Sequence, residues 1–137
     1  MPMSELCDRL TISMLKLKRL TAEEADHVAL QQQIDYYNRG IDTTDWHLLQ
    51  LLAELVEVNG QIWDAEHSIR KGLDDHSPMD EIGRRALVIR DINMRRIAIK
   101  NRIAQHTQQA EFTDVKMNYA SVCCEGGTLQ PSQTQDI

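Results

Sequence analysis

Apolar residues along this chain recur every three or four positions, and the strict alternation that a half-buried strand requires is absent. The pattern predicts four helices. The first lies in SELCDRLTISMLKLKRL, where Ser4 is a candidate N-cap and Leu6, Leu10, Met14 and Leu17 repeat at helical spacing. The second starts at TAEE, where Thr21 and Glu24 fit a capping box, and runs to about Asn38, ahead of Gly40 as terminator. The third runs from Thr43 or Thr44 to about Lys71, with Gly72 expected to supply the left-handed position that ends it. The fourth opens at SPMDE: Ser77 caps, Pro78 suits the first helical position, and Asp80 and Glu81 favour the positive end of the helix dipole. It runs to about Gln105. Beyond it the periodicity is lost and the last dozen residues are polar turn formers, so the organisation predicted is a helical bundle domain over 1–107 and a C-terminal tail over 108–137.

Helices three and four are each nearly thirty residues, or roughly 40 Å long, and the GLDDHS connection between them is short. They must return as a long antiparallel hairpin. The expected fold class is all-α: a long antiparallel helical hairpin with two shorter N-terminal helices packed along it. A hairpin this thin has an apolar stripe left over, so a homodimer or higher homo-oligomer is expected.

Polar residues interrupt that stripe. On helix three Leu48, Leu52, Leu55, Asn59, Ile62, Glu66 and Ile69 form a heptad-like seam. Within the dense stretch NGQIWDAEHSIRKG, Asn59, Trp63, Glu66 and Arg70 share one inward face, while Asp64 points elsewhere, as a solvated or inter-subunit charge. On helix four the same spacing runs through Ile82, Ala86, Ile89, Asn93, Arg96, Lys100 and Ile103. Between Pro78 and Gln105 that helix carries seven basic and three acidic residues, whereas Thr43 to Lys71 carries two basic and five acidic. Opposite signs can simply hold the hairpin together. With Lys71 opposite Pro78, however, Glu66 sits near Arg85, Asn59 near Arg90 or Asn93, and Arg96 and Lys100 face Leu52 and Leu48. A buried cation without a partner costs several kcal/mol, so something must pair with these two. Asp8 on helix one is the best internal candidate; a neighbouring subunit or an anionic ligand is the alternative.

Composition narrows the functional classes. Of 137 residues, 15 are Lys or Arg and 21 Asp or Glu, a net charge of −6, which argues against a general nucleic-acid binder. The three cysteines, Cys7, Cys123 and Cys124, are an odd set with two adjacent, so no disulfide framework is expected and a reducing, cytoplasmic setting is. No apolar run approaches signal-peptide or membrane-span length. No cofactor or metal is implied. Glu54 and Glu57 form the E-x-x-E that MazG-type magnesium pyrophosphatases use, but helix four offers no matching E-x-x-D, and Glu57 points off the seam. His67 lies near Glu66 and Asp64, yet no H-x-x-x-H pair exists, and Cys123 and Cys124 have no neighbouring base.

Four segments, SELCDRLTISMLKLKRL, EVNGQIWDAEHSIR, IRDINMRRIAIKNRI and TDVKMNYA, resemble in order a family of small bacterial and phage proteins classed as a domain of unknown function. Its pattern is D-K-L-T-I, then V-N-x-x-L-W-D-I-E-D-x-I-R, then T-N-D-x-R-x-x-I-K, covering about residues 4 to 120. The matching positions are Asp8, Leu10, Thr11, Ile12 and Lys16; Asn59, Trp63, Asp64, Glu66 and Arg70; Asn93, Arg96 and Lys100; and Tyr119. Arg9, His67 and Met94 depart from the pattern. The resemblance supplies no activity, but its members' gene neighbours hint at surface-polysaccharide or sugar-nucleotide metabolism.

Together these readings predict a non-enzymatic protein binding a small anionic ligand, such as a nucleotide, cyclic nucleotide or nucleotide-sugar, or a host signal if the chain is of phage origin. Arg96, Lys100 and Arg70 would meet the anion, Asn59 and Asn93 read polar edges, Trp63 stacks, and Glu66 orients the ligand, with Asp8 and Thr11 beside them. The competing readings are an oligomerisation or accessory protein of polysaccharide metabolism, whose polar seam sets helix register, and the MazG-like enzyme.

Overall fold

The computed structural model describes residues 1–107. Tyr119, Cys123, Cys124 and the rest of the predicted tail lie outside the described residues. Four helices follow in order: α1 (Met3–Arg19), α2 (His27–Asn38), α3 (Trp46–Asp74) and α4 (Met79–His106). α3 and α4 form the long antiparallel hairpin, α1 lies over the face where they meet, and α2 packs on α1. The two short helices therefore do not both line the hairpin as expected. α1 sits between α2 and the hairpin, with the Ser13 hydroxyl bonded to Gln33 of α2 at 3.2 Å. No described helix is long and apolar enough to cross a membrane.

Helix starts follow side-chain chemistry, with some displacement. Asp45 accepts the Leu48 N–H at 3.0 Å and so caps α3. Thr21 and Glu24 do meet, the Glu24 carboxylate accepting the Thr21 N–H at 2.8 Å, but they close an isolated turn. α2 begins only at His27, capped by Asp26, whose carboxylate accepts the Ala29 N–H at 3.1 Å. At α1 the residue before the helix is Pro2, whose carbonyl takes the Glu5 and Leu6 N–H groups, and Ser4 falls inside the helix.

The core is Cys7 of α1, Leu48, Leu51, Leu55 and Val58 of α3, and Ile92, Ile99 and Ile103 of α4. Burying such side chains contributes roughly 1.5–3 kcal/mol each. The buried line of α3 is thus rotated from the predicted seam: Leu52, Ile62 and Ile69 are half-buried and Glu66 is exposed. The reason is that α3 must face both α4 and α1. On α1 likewise Cys7, Leu10 and Leu15 are buried, while Met14, expected on the apolar stripe, is 41% exposed.

α3 does not stop at Gly72. It continues a further turn to Asp74, and Gly72 is buried in the helix crossing, where a Cβ would stand 2.6 Å from both Ile82 and Arg85. The left-handed residue is His76, at φ 58°. Its N–H donates to the Leu73 carbonyl at 3.2 Å, and the Ser77 N–H donates to that of Gly72 at 2.8 Å, the pair of bonds that defines a Schellman ending. With this ending the hairpin register differs from that expected, by about two turns of α4 at mid-length. Gln61 meets Arg95 at 3.1 Å and Glu54 meets Arg102 at 2.9 Å. Arg85 reaches the Ser68 carbonyl at 2.7 Å and Glu81, not Glu66.

A histidine held at positive φ carries a steric cost that glycine avoids. His76→Gly is therefore expected to raise stability by about 0.5–1 kcal/mol, read as a higher urea midpoint at unchanged slope.

Candidate functional site

Asp8 and Thr11, one turn apart on α1, face Asn59 of α3 and Arg96 of α4; of these, Asp8, Thr11 and Asn59 are buried. Arg96 grips the Asp8 carboxylate with two nitrogens, Nε reaching Oδ1 at 3.0 Å and Nη2 reaching Oδ2. Its third nitrogen, Nη1, donates to Asn93 Oδ1 at 3.1 Å. Asn59 Nδ2 donates both to Asp8 Oδ1, at 3.1 Å, and to the Thr11 hydroxyl, at 2.7 Å. That hydroxyl in turn donates to the Asp8 carbonyl at 2.8 Å. Lys100 Nζ lies 3.1 Å from Glu5 and 3.8 Å from Asp8. Three helices are thus joined through one buried carboxylate.

The electrostatics follow. Burial by itself raises the Asp8 pKa, but hydrogen bonds from Arg96 and Asn59 and the charges of Arg96 and Lys100 outweigh it and hold the carboxyl below its ordinary value. Burial raises Glu5 as well, and Arg9 and Lys100 bring it below the usual range. Arg96 is raised, chiefly by its bonds to Asp8. Cys7, buried one residue before Asp8, is pushed up to about 11 by burial and by that negative charge, so it is a packed thiol and a poor nucleophile.

Above this network lies an open groove of about 580 Å³ between α1, α3 and α4. Ile12, Leu15, Ile62, Ala86 and Ile89 give it apolar walls, with the half-buried Trp63 at its side. Asn59, Asn93 and Arg96 form its polar floor, and Glu66 and Arg90 also line it. The groove exists because α1 ends where Arg19 pairs with Asp64, while the hairpin runs on beyond. Its free polar capacity is specific. Among the described residues, Asn59 Oδ1 accepts no hydrogen bond although the residue is only 6% exposed, and Asn93 Nδ2 donates none. Glu66 has no ion pair among the described residues, and Arg90 has only a 3.8 Å approach to Asp91.

The sequence-derived set therefore divides. Asn59, Trp63, Glu66, Asn93 and Arg96 share the groove lining, and Asp8 and Thr11 support it from behind. Lys100 turns to Glu5 and is not at the groove, and Arg70 is exposed and does not line it. Arg96 and Lys100 do not face bare leucines: the register shift brings Arg96 to Asn59, and Asp8 is its partner. Asp64 pairs within the chain with Arg19. Glu54 is held by Arg102, and His106 by Asp45 at 2.8 Å beside His47; among the described residues no cluster of three or more His, Cys, Asp or Glu is placed to hold a metal. Sequence reasoning missed Arg90 as a lining cation, and Ile12, Leu15 and Ala86 as walls. The expected register set Arg90 near Asn59, but as a pairing within the hairpin rather than as a lining cation.

Asp8→Asn leaves Arg96 without its counter-charge and is expected to cost about 3–5 kcal/mol, whereas Asp8→Leu with Arg96→Met recovers most of it. Because the folded Asp8 pKa lies below the unfolded value of 3.8, the unfolded chain protonates first as pH falls. The stability Asp8 contributes is complete above about pH 5 and is lost as pH drops through the unfolded and then the folded pKa. Urea unfolding of both proteins between about pH 3 and 7 measures this: the double variant should lose less stability toward acid than the wild type.

No family model, curated protein or solved structure matches this chain.

Proposed function

We propose that this protein is a non-enzymatic binder of a small nucleoside-bearing ligand, held in the groove between α1, α3 and α4. The observation that carries the reading is Asn59, a nine-tenths buried residue lining that groove, whose Oδ1 accepts no hydrogen bond among the described residues. Covering such an acceptor without giving it a donor costs about 1–3 kcal/mol, so a ligand that fills the groove is selected for a donor at this position. Beside it Asn93 Nδ2 is a free donor. An acceptor and a donor on one floor suit a planar edge that carries both, as a nucleobase does. Trp63 supplies a face for stacking and Glu66 an acceptor for a sugar hydroxyl or an exocyclic amine.

The anionic part of the ligand has a different partner from the one expected from the sequence. Arg96 and Lys100 are neutralised by Asp8 and Glu5, so neither is a ready phosphate contact. Arg90, exposed and poorly paired, is the lining cation left for it. Apolar walls and a groove of this size fit one nucleoside with its phosphates or a sugar reaching toward solvent.

A second reading rests on the saturation of Asp8: both its oxygens are bonded, and the network joins three helices. On that reading the polar seam is a register device for an interaction protein and the groove is incidental.

Fluorescence separates the two. The chain has two tryptophans, and Trp46, 82% exposed, can be replaced by Phe so that Trp63 alone reports. Nucleosides, nucleoside phosphates and nucleotide-sugars are expected to quench it saturably. Ala86→Leu, which fills the groove from an exposed position without adding a fluorophore, should abolish the effect. Arg90→Gln should weaken phosphorylated ligands about tenfold and leave free nucleosides unchanged. If no compound in the series quenches Trp63 or shifts the melting temperature, the binding reading fails and the architectural one stands.

A further inference from the structure

One exposed face of α4 carries a pattern whose charged members have only solvent-exposed partners within the chain. Asp80, Arg84, Leu87, Val88, Asp91 and Arg95 are all exposed. At 3.6 residues per turn they fall within an arc of about 100° on one side of the helix, flanking the strip that buries Ile92 and Ile99 against α3. Leu87 and Val88 are 50% and 51% exposed, and Met94 beside them is 46% exposed. A purely solvated face has no use for three large apolar side chains in one line.

The charges on that face are arranged symmetrically in position and oppositely in sign about the Leu87–Val88 step. Three residues out on either side stand Arg84 and Asp91; seven residues out stand Asp80 and Arg95. An isologous twofold contact requires this of a helix that packs on its own copy: each residue meets the residue at the mirrored position, so opposite signs must be mirrored. We infer that the back of α4 is a docking surface for a second copy of this chain, packed antiparallel with the twofold axis at Leu87–Val88, so that Arg84 meets Asp91 of the other copy, and Asp80 meets Arg95, on both sides of an apolar centre.

The intrachain partners of these residues do not oppose it. Arg84 rests on Asp80 at 3.5 Å and Glu81 at 2.7 Å, with the arginine side chain 64% exposed, Asp91 approaches Arg90 only at 3.8 Å, and Arg95 donates to Gln61 of α3 at 3.1 Å in an exposed contact. Exposed pairs of this kind contribute little and exchange readily. A single antiparallel helix contact buries less than the roughly 800 Å² per partner of a standard interface, so the dimer is a weak, concentration-dependent one. The inference is independent of the ligand groove, whose floor lies on the opposite side of α4.

Sedimentation of the full chain from about 5 μM to 1 mM, at low and at high salt, tests it. The expected result is a reversible dimer that weakens as salt rises. Asp91→Arg sets like charges together twice and should weaken it at least tenfold. Arg84→Asp combined with Asp91→Arg restores opposite signs and should bring the dimer back, with circular dichroism checking that each variant keeps its helices. Leu87→Asp, at an exposed site, should give a monomer that stays helical. A monomer at every concentration overturns the inference. So does a dimer insensitive to Asp91→Arg, or one that the exchanged pair fails to restore.

Discussion

The ionised carboxylate of Asp8 is the constraint to which the rest of the molecule answers. A charge this deeply buried would be prohibitive alone. Here it accepts two nitrogens of Arg96 and one of Asn59, with Lys100 beside it. Those donors come from α3 and α4, while the acceptor comes from α1, so the charge is satisfied only when α1 lies at one height on the hairpin and the hairpin is in one register. Sliding either helix by a turn would strand an anion and a cation in a poorly solvated place. The aliphatic core around Leu48, Leu51, Leu55, Ile99 and Ile103 drives association, but leucine and isoleucine surfaces alone tolerate several registers. The polar network removes the alternatives.

That placement of α1 has a consequence at its far end. α1 closes over Asn59 and finishes at Arg19 against Asp64, so the hairpin beyond it has lost its cover on one side. Apolar side chains prepared for burial, Ile62, Trp63, Ala86 and Ile89, then become groove walls. The floor inherits whatever hydrogen-bonding capacity the network does not consume. Asn59 spends its amide nitrogen on Asp8 and Thr11 and keeps its oxygen; Asn93 spends its oxygen on Arg96 and keeps its nitrogen. The groove is consequently specific in hydrogen-bond pattern and nearly balanced in charge, which suits recognition of a neutral planar edge better than capture of a bare anion.

Much of this was legible one residue at a time. The four helices, their order and the antiparallel return follow from period, length and a short connection. The demand that Arg96 and Lys100 find a counter-charge follows from the cost of an unpaired buried cation; Asp8 was one candidate beside a neighbouring subunit or a ligand, and in the fold it meets Arg96 while Glu5 meets Lys100. The inward position of Asn59 and the outward one of Asp64 follow from the helical wheel. What failed was the reading of Gly72 as a terminator. Its role is to let Ile82 and Arg85 approach, while His76 takes the left-handed turn, and with that different ending every pairing across the hairpin shifts. Arg70 was placed inward by the wheel, but α4 packs there against Ser68 and Gly72, and Arg70 is left exposed.

The amino-acid sequence by itself determined the all-helical architecture and the need for a counter-charge at Arg96, because periodicity and the penalty for unpaired charge act locally; that Asp8 supplies it was decided by how α1 packs on the hairpin. Only the tertiary structure decided which atoms remain unspent. Whether Asn59 keeps an oxygen or a nitrogen free, whether Arg90 or Arg96 faces the groove, and where α1 stops covering the hairpin all depend on register and helix crossing. These are set by the sum of many weak packing contacts, no one of which can be read from the spacing of residues along a single helix.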